Sequence, residues 1–289
     1  MQKITPFIWF DNQAGEAAEF YASVFSGEIK HRTKMSDTPS GTVEVINIEL
    51  FGQSFTLMSA GPYFKINPAV SFHVKCKTAE EVDEFWEKLS ADGKVLMEIG
   101  KYPFSERYGW IQDKYGVSWQ LIYFKENVSD QKITPVLMFV GKVCGKTEEA
   151  VKFYSSIFKN SRVGNIMHYG PGEGDSEENV KYADFSLEGQ KFGAMDSSHK
   201  HEFAFNEAIS FVVDCKDQEE VDYYWHKLSY VPGSEQCGWL KDKYEVSWQI
   251  VPKRLNELLG EDKTGKVTQA MLKMKKIVIK ELEEAYEGS

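Results

Sequence analysis

Tyr108–Leu121 reads YGWIQDKYGVSWQL, and the chain contains this stretch twice. It returns at Cys237–Ile250 as CGWLKDKYEVSWQI, with nine of fourteen positions identical and a constant shift of 129 residues. Within the first copy, Trp110–Asp113 and Val117–Tyr123 are predicted strands, joined by a DKYG turn whose Gly116 can adopt a positive φ. A match of this length indicates a duplicated domain.

Further matches extend the repeat in both directions. QKITP at Gln2–Pro6 returns unchanged at Gln131–Pro135, and Val70–Ser90 matches Ile209–Ser229 at thirteen of twenty-one positions. The repeat unit of about 125 residues is domain-sized and far longer than a solenoid repeat. We therefore predict two homologous domains, residues 1–127 and 128–253, followed by a helical extension over residues 254–289.

Each copy contains the same order of elements. Ile4–Phe10 is apolar and rich in strand formers, and an apolar stripe over residues 17–25 predicts a helix that ends at Gly27 in a left-handed C-cap. Thr78 and Glu81 form a capping box at the start of a second helix. Each domain is thus two strand–helix–strands modules, which predicts an α+β fold in which each domain forms an incomplete barrel or cupped sheet.

Three features distinguish the second copy and the tail. The loop Ala91–Arg107, long enough to serve as a lid, is shortened to Tyr230–Gln236, and Glu245 replaces Gly116. Apolar residues recur at steps of three and four over Lys266–Tyr286, which predicts one amphipathic helix. Such a helix covers a surface of its own chain or of a partner, and we favour its own chain.

Composition narrows the classes of function. The chain has 289 residues, a formal net charge of −10, a pI near 5.2 and 42% hydrophobic residues. This charge disfavours nucleic acid and anionic membranes as partners. The four cysteines fit no zinc spacing, the N-terminal sequence lacks the pattern of a signal peptide, and no apolar run is long enough to span a membrane. We predict a cytoplasmic protein.

The motifs ITPFIWF…EAAEFYASVF, AEEVDEFWEKL and DKYGVSWQL, in this order, resemble the vicinal oxygen chelate superfamily, which has the glyoxalase and bleomycin-resistance fold. Within it they are similar to the PhnB-like branch, often labelled 3-demethylubiquinone 3-methyltransferase. The resemblance implies paired βαβββ modules and an intrachain pseudo-dimer, because single-domain members usually pair as dimers; a homo-oligomer is left open. It does not imply one activity, since the superfamily includes isomerases, dioxygenases, transferases and binding proteins.

Enzymes of that superfamily hold a divalent cation with His, Glu or Gln from the first and last strands of the modules. The matching positions here are Thr5–Pro6, Thr56, His73 and Gln120, of which the last two are plausible ligands. A site needs three or four ligands, and in the second copy Val212 replaces His73. We therefore predict no metal site and no other cofactor, with a divalent metal in domain 1 as the alternative.

Five residues of the first copy are candidates for a small-molecule site. His73 is a candidate general base, against the alternative of a structural core histidine. Arg107, near the aromatic residues after the long loop, is suited to clamp a carboxylate or phosphonate, against a surface cation–π contact. Trp9, Trp110 and Gln120 are candidate ligand contacts, although core packing explains tryptophans equally well.

A glycine-rich stretch, GPGEG at residues 170–174, is excluded as a phosphate loop because acidic residues and a strand follow it, where a helix N-terminus is required. Three functions stay open. The first is small-molecule binding in the domain 1 cavity without a complete metal site. The others are a metal-dependent lyase, dioxygenase or transferase, and an interaction scaffold with collapsed cavities.

Overall fold

The computed structural model describes residues 2–125 and 131–288, which form two mixed sheets and seven α-helices. The first repeat contains β1 (Ile4–Phe10), α1 (Ala14–Val24), β2 (Glu28–Thr38), β3 (Gly41–Leu50), β4 (Gln53–Ser59), β5 (Val70–Cys76), α2 (Ala79–Ser90), β6 (Lys94–Tyr102), β7 (Ser105–Gln112) and β8 (Ser118–Tyr123). The second contains β9 (Ile133–Val140), α3 (Thr147–Ile157), β10 (Arg162–His168), β11 (Val180–Leu187), β12 (Gln190–Ser197), β13 (Ile209–Cys215), α4 (Gln218–Leu228), β14 (Trp239–Lys241) and β15 (Ser247–Pro252). The tail adds α5 (Lys253–Glu261), α6 (Lys266–Leu272) and α7 (Ile279–Glu287).

The two sheets are shared between the repeats. Sheet A has the strand order β14-β15-β13-β1-β4-β3-β2, and sheet B has the order β10-β11-β12-β9-β5-β8-β7-β6. The junctions are antiparallel pairs, β1 with β13 and β5 with β9. The α+β architecture of two glyoxalase-like repeats is therefore as predicted. Each sheet, however, combines one module from each repeat. Our expectation that each domain forms its own cupped sheet is therefore wrong.

Side-chain amides bridge the two repeats reciprocally. The Gln53 amide accepts from the backbone N–H of Ile133 over 2.8 Å and donates to its carbonyl over 2.7 Å. The Gln190 amide makes the same two contacts with Ile4, each 2.7 Å long. Both isoleucines are buried and both glutamines are half-buried, and the contacts tie β4 of sheet A to β9 of sheet B and β12 of sheet B to β1 of sheet A.

The repeated DKY turn is anchored by a buried carboxylate. Asp113 accepts from the Tyr21 hydroxyl and the Trp119 indole, both over 2.8 Å, and from the backbone N–H groups of Tyr115 and Val117. Because Tyr21 lies on α1 and Asp113 precedes β8, this contact joins the two modules of one repeat. The modules of a repeat thus pack through their helices and core, and their strands pair elsewhere.

The C-terminal tail docks on its own chain, but not as the single helix we predicted. An extended segment separates α6 from α7 because Gln218 binds its backbone, accepting from Ile279 N–H over 2.8 Å and donating to the Ile277 carbonyl over 3.1 Å. The backbone amides of Cys237 and Gly238 each donate over 2.8 Å to carbonyls of this segment. The tail therefore packs beside β14.

One local prediction needs correction and one is confirmed. Ser26, with φ of 49°, takes the left-handed position predicted for Gly27. Glycine is required at Gly27 for a different reason, which is the close approach of the β3 backbone. A Cβ at this position would lie 2.5 Å from the Glu49 carbonyl oxygen. The capping role of Thr78 is confirmed, because its hydroxyl accepts from the backbone N–H of Glu81 over 3.1 Å. In the part of the chain that the structure describes, no helix is long and apolar enough to cross a membrane.

Candidate functional site

Strand alternation places two predicted site residues on one face of sheet B. Phe72 and Trp119 pack together in the core, with ring centroids 5.3 Å apart. Their neighbours His73 and Gln120, which are paired in register on β5 and β8, therefore project from the opposite face. We call this face of sheet B cup B and the corresponding face of sheet A cup A.

Sheet B is curled around His73. The Tyr182 ring on β11 lies 5.8 Å from the His73 ring, although β12 and β9 separate β11 from β5. Strands lie about 4.8 Å apart in a flat sheet, so a flat sheet would hold these residues more than twice as far apart. The Tyr108 ring approaches His73 from the other side at 6.4 Å. The curvature encloses His73 between two tyrosines.

His73 is neutral at physiological pH. Its side chain is only 9% exposed, and burial lowers its pKa to about 4, with a smaller contribution from the positive charge of Lys75. It faces Thr134 of β9 on one side and Gln120 of β8 on the other. A neutral imidazole in this position can accept one hydrogen bond and donate another.

The Gln120 side chain interacts with His73 and makes two further hydrogen bonds. Its side-chain oxygen accepts from the Tyr108 hydroxyl over 2.7 Å, and its nitrogen donates to the Ser71 hydroxyl over 2.7 Å. Beside it, the Trp110 indole donates to the Ser118 hydroxyl over 2.7 Å. The Gln120 oxygen, the atom that would bind a cation, is therefore already occupied by a tyrosine of the same cup.

The residues present do not fit the divalent cation that the fold family implies. Thr5 and Thr56 lie in sheet A, whereas His73 and Gln120 lie in sheet B, so the four matched positions do not converge. In cup B the remaining two positions are taken by residues of the second repeat, which include Thr134. Among residues 2–125 and 131–288, no group of three or more His, Cys, Asp or Glu side chains is arranged to hold a metal.

The structure brings together three of the five predicted site residues. His73, Trp110 and Gln120 share cup B. Arg107 lies on the other face of β7, where its Nε is 2.6 Å from an Asp83 carboxylate oxygen on α2. Trp9 lies in cup A, where its indole donates to the Gly61 carbonyl over 2.8 Å. Arg107 is separated from the other three because successive residues of a strand point to opposite faces. Trp9 is separated from them because its strand, β1, belongs to sheet A.

The long loop that we predicted as a lid is the β6–β7 hairpin, which adds an edge to sheet B. Its aromatic residues Tyr102 and Phe104 pack on Tyr108, at 5.4 Å and 4.9 Å between ring centroids. Sequence reasoning missed this role because β6 lacks a clear apolar alternation. The hairpin and the end of β8 also line a cleft of about 360 Å³, formed by Lys101, Tyr102, Pro103, Phe104, Ser105, Glu106, Tyr123, Phe124 and Lys125.

Sequence reasoning also missed Tyr108, Thr134 and Tyr182. Tyr108 carried a signal, because it is a position where the two copies of the repeated stretch differ, with Cys237 in the second. Thr134 lies in the duplicated QKITP motif, but its contact with His73 requires pairing between the repeats. Tyr182 carried no signal, since it reaches cup B only through the curvature of the sheet.

Two sheets, each assembled from one strand–helix–strands module of either repeat, define the vicinal oxygen chelate fold. A point mutant of glyoxalase I from Zea mays shares it, with a TM-score of 0.58 over 90% of this chain and 96% of that chain at 12% identity. The chain belongs to the family described as 3-demethylubiquinone-9 3-methyltransferase, whose model matches residues 2–122 and again residues 131–251.

Two single-repeat structures are similar in sequence. The PhnB protein from Bacillus cereus is 40% identical, covering 43% of this chain and 100% of its own, with a TM-score of 0.40. A protein from Staphylococcus aureus is 31% identical, covering 43% of this chain and 97% of its own, with a TM-score of 0.18. Among curated proteins, none matches the chain.

Proposed function

We propose that this protein binds a small molecule in cup B without the help of a metal ion. The observation that carries the proposal is the pair His73 and Thr134, which are paired in register across β5 and β9. The Thr134 side chain is 3% exposed, and its hydroxyl has no hydrogen-bond partner in the part of the chain that the structure describes. Burying such a hydroxyl unpaired costs about 1–3 kcal/mol, a cost that a ligand group hydrogen-bonded there would remove.

The surroundings of this pair support the proposal. Tyr108 and Tyr182 flank His73 with flat apolar rings, and Trp110 is half-buried beside Gln120. Pockets of this kind combine mostly aromatic walls with a few polar groups that fix orientation. The neutral His73 supplies one such polar group. A neutral imidazole can orient a bound ligand, and it can equally take part in proton transfer.

Charge at one end of cup B favours an anionic ligand group. Lys75, on the same face of β5 as His73, has its pKa lowered by burial and then by the neighbouring positive charge of Lys191. The negative charge of Asp184 offsets the positive charges of these two lysines only in part. A small molecule with one negatively charged group near the lysines and a hydrogen-bonding group at His73 matches this arrangement.

The test uses His73 as a reporter. The protein labelled with ¹³C at histidine would be titrated with small carboxylates and phosphonates, and the His73 Cε1 resonance followed. We expect one of these classes to shift that resonance, and Thr134→Val to weaken its binding about tenfold, the value of one lost hydrogen bond. Absence of any shift with either class at millimolar concentration would contradict the proposal.

Two further measurements separate the alternatives. Elemental analysis of protein purified without chelator, repeated on His73→Ala, tests the metal-dependent enzyme; a stoichiometric ion lost in the variant would replace our proposal with that one. Calorimetric titration with S-adenosylmethionine tests the methyl transfer in the family's description. Stoichiometric binding there would favour a transferase, and we expect none, since the glycine-rich stretch at residues 170–174 is followed by turns and β11.

A further inference from the structure

Cup A contains the repeat equivalents of the polar groups in cup B, but without their partners. In cup B, Trp110 donates to Ser118 over 2.7 Å. In cup A the corresponding serine, Ser247, is 1% exposed, and its hydroxyl has no hydrogen-bond partner among the described residues. The corresponding indole, that of Trp239, likewise donates to no described residue. Two groups that satisfy each other in cup B are therefore both unpaired in cup A.

A third group, the side-chain oxygen of Gln249, lacks a donor because the sequences of the two repeats differ. Gln249 corresponds to Gln120, and its nitrogen still donates to a serine, Ser210, over 3.0 Å. The tyrosine that occupies the Gln120 oxygen is replaced by Cys237 in the second repeat. Within residues 2–125 and 131–288, no group donates to the Gln249 side-chain oxygen. That oxygen lies on the same face as Ser247, because Trp248 between them packs in the core.

The Trp239 indole packs against aromatic neighbours. Its ring meets Phe7 edge-on at 5.4 Å and Trp9 at 6.1 Å, with interplanar angles of 89° and 73°. Since the Trp9 indole already donates to a backbone carbonyl, Trp9 offers its ring but no free N–H. The three rings form an apolar surface next to the unpaired Ser247 and Gln249.

Cup A is also less covered than cup B. The strand that corresponds to β7 is β14, which has three residues against eight, and sheet A has no counterpart of β6. Trp9 and Trp239 are both half-buried, so their rings remain accessible. From the half-buried rings and the unpaired polar groups, we infer that cup A is a second binding site, for a neutral planar aromatic compound that carries a hydroxyl group.

The chemistry of the site defines this ligand class. An aromatic ring packs edge-on or offset against Trp9 and Trp239. Its hydroxyl donates to the Gln249 oxygen and accepts from the Trp239 indole. An anion is disfavoured, because the Lys241 ammonium is already paired with Glu207 over 3.0 Å and because the cup holds Asp214 on the same face as Gln249.

The experiment uses ¹⁹F NMR of the full chain labelled with 5-fluorotryptophan. Resonances of Trp9, Trp110 and Trp239 are assigned by substituting each with phenylalanine. Titration with 2-naphthol is compared with naphthalene, which lacks the hydroxyl, and with 2-naphthoate, which is anionic. We expect 2-naphthol to shift the Trp9 and Trp239 resonances, leave Trp110 unchanged, and bind about tenfold more tightly than either comparison compound.

Matched variants locate the hydrogen bond. Gln249→Leu is expected to weaken 2-naphthol binding about tenfold and leave naphthalene unaffected, whereas Gln120→Leu leaves both unaffected. If Gln249→Leu does not fold, Trp239→Phe, which removes the indole donor, provides the same comparison. Equal affinity for 2-naphthol and naphthalene, a shift confined to Trp110, or no shift at saturating 2-naphthol would each overturn the inference. A shift at Trp110 reports binding in cup B, so the resonance that moves distinguishes this inference from the proposed function.

Discussion

The Tyr154 hydroxyl donates a hydrogen bond to an Asp242 carboxylate oxygen over 2.7 Å, in the core of the second repeat. The same oxygen accepts from the Trp248 indole over 2.8 Å. The second carboxylate oxygen accepts from two backbone N–H groups of the DKYE turn. This is the arrangement around Asp113 in the first repeat, so the duplicated turn conserves a buried anchor for α3 as it does for α1.

Tyr154→Phe should lower stability and raise the pKa of Asp242. Burial raises the pKa of this carboxyl to about 6, although its four hydrogen-bond donors pull in the opposite direction. Without the tyrosine donor the charged form loses a hydrogen bond worth about 2 kcal/mol. Urea denaturation at pH 7 measures the loss, and ¹³C NMR of the Asp242 carboxyl measures the pKa. Tyr21→Phe is the matched control in the first repeat.

The pH dependence that Asp242 contributes to stability follows from the difference in proton binding between the folded and unfolded chain. Between the unfolded pKa of about 3.9 and the folded pKa, folded Asp242 holds its proton more tightly than the unfolded chain does. Its contribution to stability is therefore largest below this window and falls as pH rises to about 6. A pKa of Asp242 that decreases in Tyr154→Phe would contradict the role assigned to the tyrosine.

His73→Val should make stability less dependent on pH in acid. Folded His73 has a pKa of about 4, below the value of about 6.5 in an unfolded chain. Stability from the neutral ring is therefore complete above pH 6.5 and is lost as pH falls toward 4, by about 3 kcal/mol over the window. Urea midpoints between pH 4 and 7 measure this slope. His226→Gln, an exposed substitution on α4, should leave the slope unchanged.

Glu245→Gly should stabilise the protein by about 1 kcal/mol, because Glu245 adopts φ of 71° where the first repeat has Gly116 at 89°. Its ion pair with Lys142 is at the surface and contributes little. The urea midpoint is the measurement, with Lys142→Ala as the control for the ion pair. Gly116→Ala should cost a similar amount, and a Glu245→Gly variant no more stable than the parent would show that the turn carries no strain.

Gln53→Leu and Gln190→Leu should destabilise the whole chain, each by about 1–3 kcal/mol, because each leaves the backbone N–H of a buried isoleucine in the other repeat without its partner. The two isoleucine carbonyls keep the hydrogen bonds that they accept from Gln131 and Gln2. Since both sheets contain strands from both repeats, unfolding should remain a single cooperative transition in either variant. Coincidence of circular dichroism and tryptophan fluorescence curves tests this. Two resolved transitions would mean that the repeats unfold independently.

Much of the fold is legible in the residues themselves. The duplicated stretch predicts two homologous repeats, apolar periodicity predicts β1, α1, β5, α2 and β8, and Thr78 marks the start of α2. Local patterns of this kind are set by backbone geometry and side-chain direction within a few residues. His73 and Gln120 were grouped by the resemblance to the superfamily, and the structure pairs them in register on β5 and β8.

The remaining features depend on contacts between residues far apart in the chain. Pairing of β1 with β13 and of β5 with β9 places Trp9 and His73 in different cups, and no local pattern records which strand edges meet. The break before α7 likewise follows from Gln218, a residue about sixty positions earlier. Free energy from strand pairing and burial is gained between distant segments, so the assignment of side chains to cups appears only when the sheets are assembled.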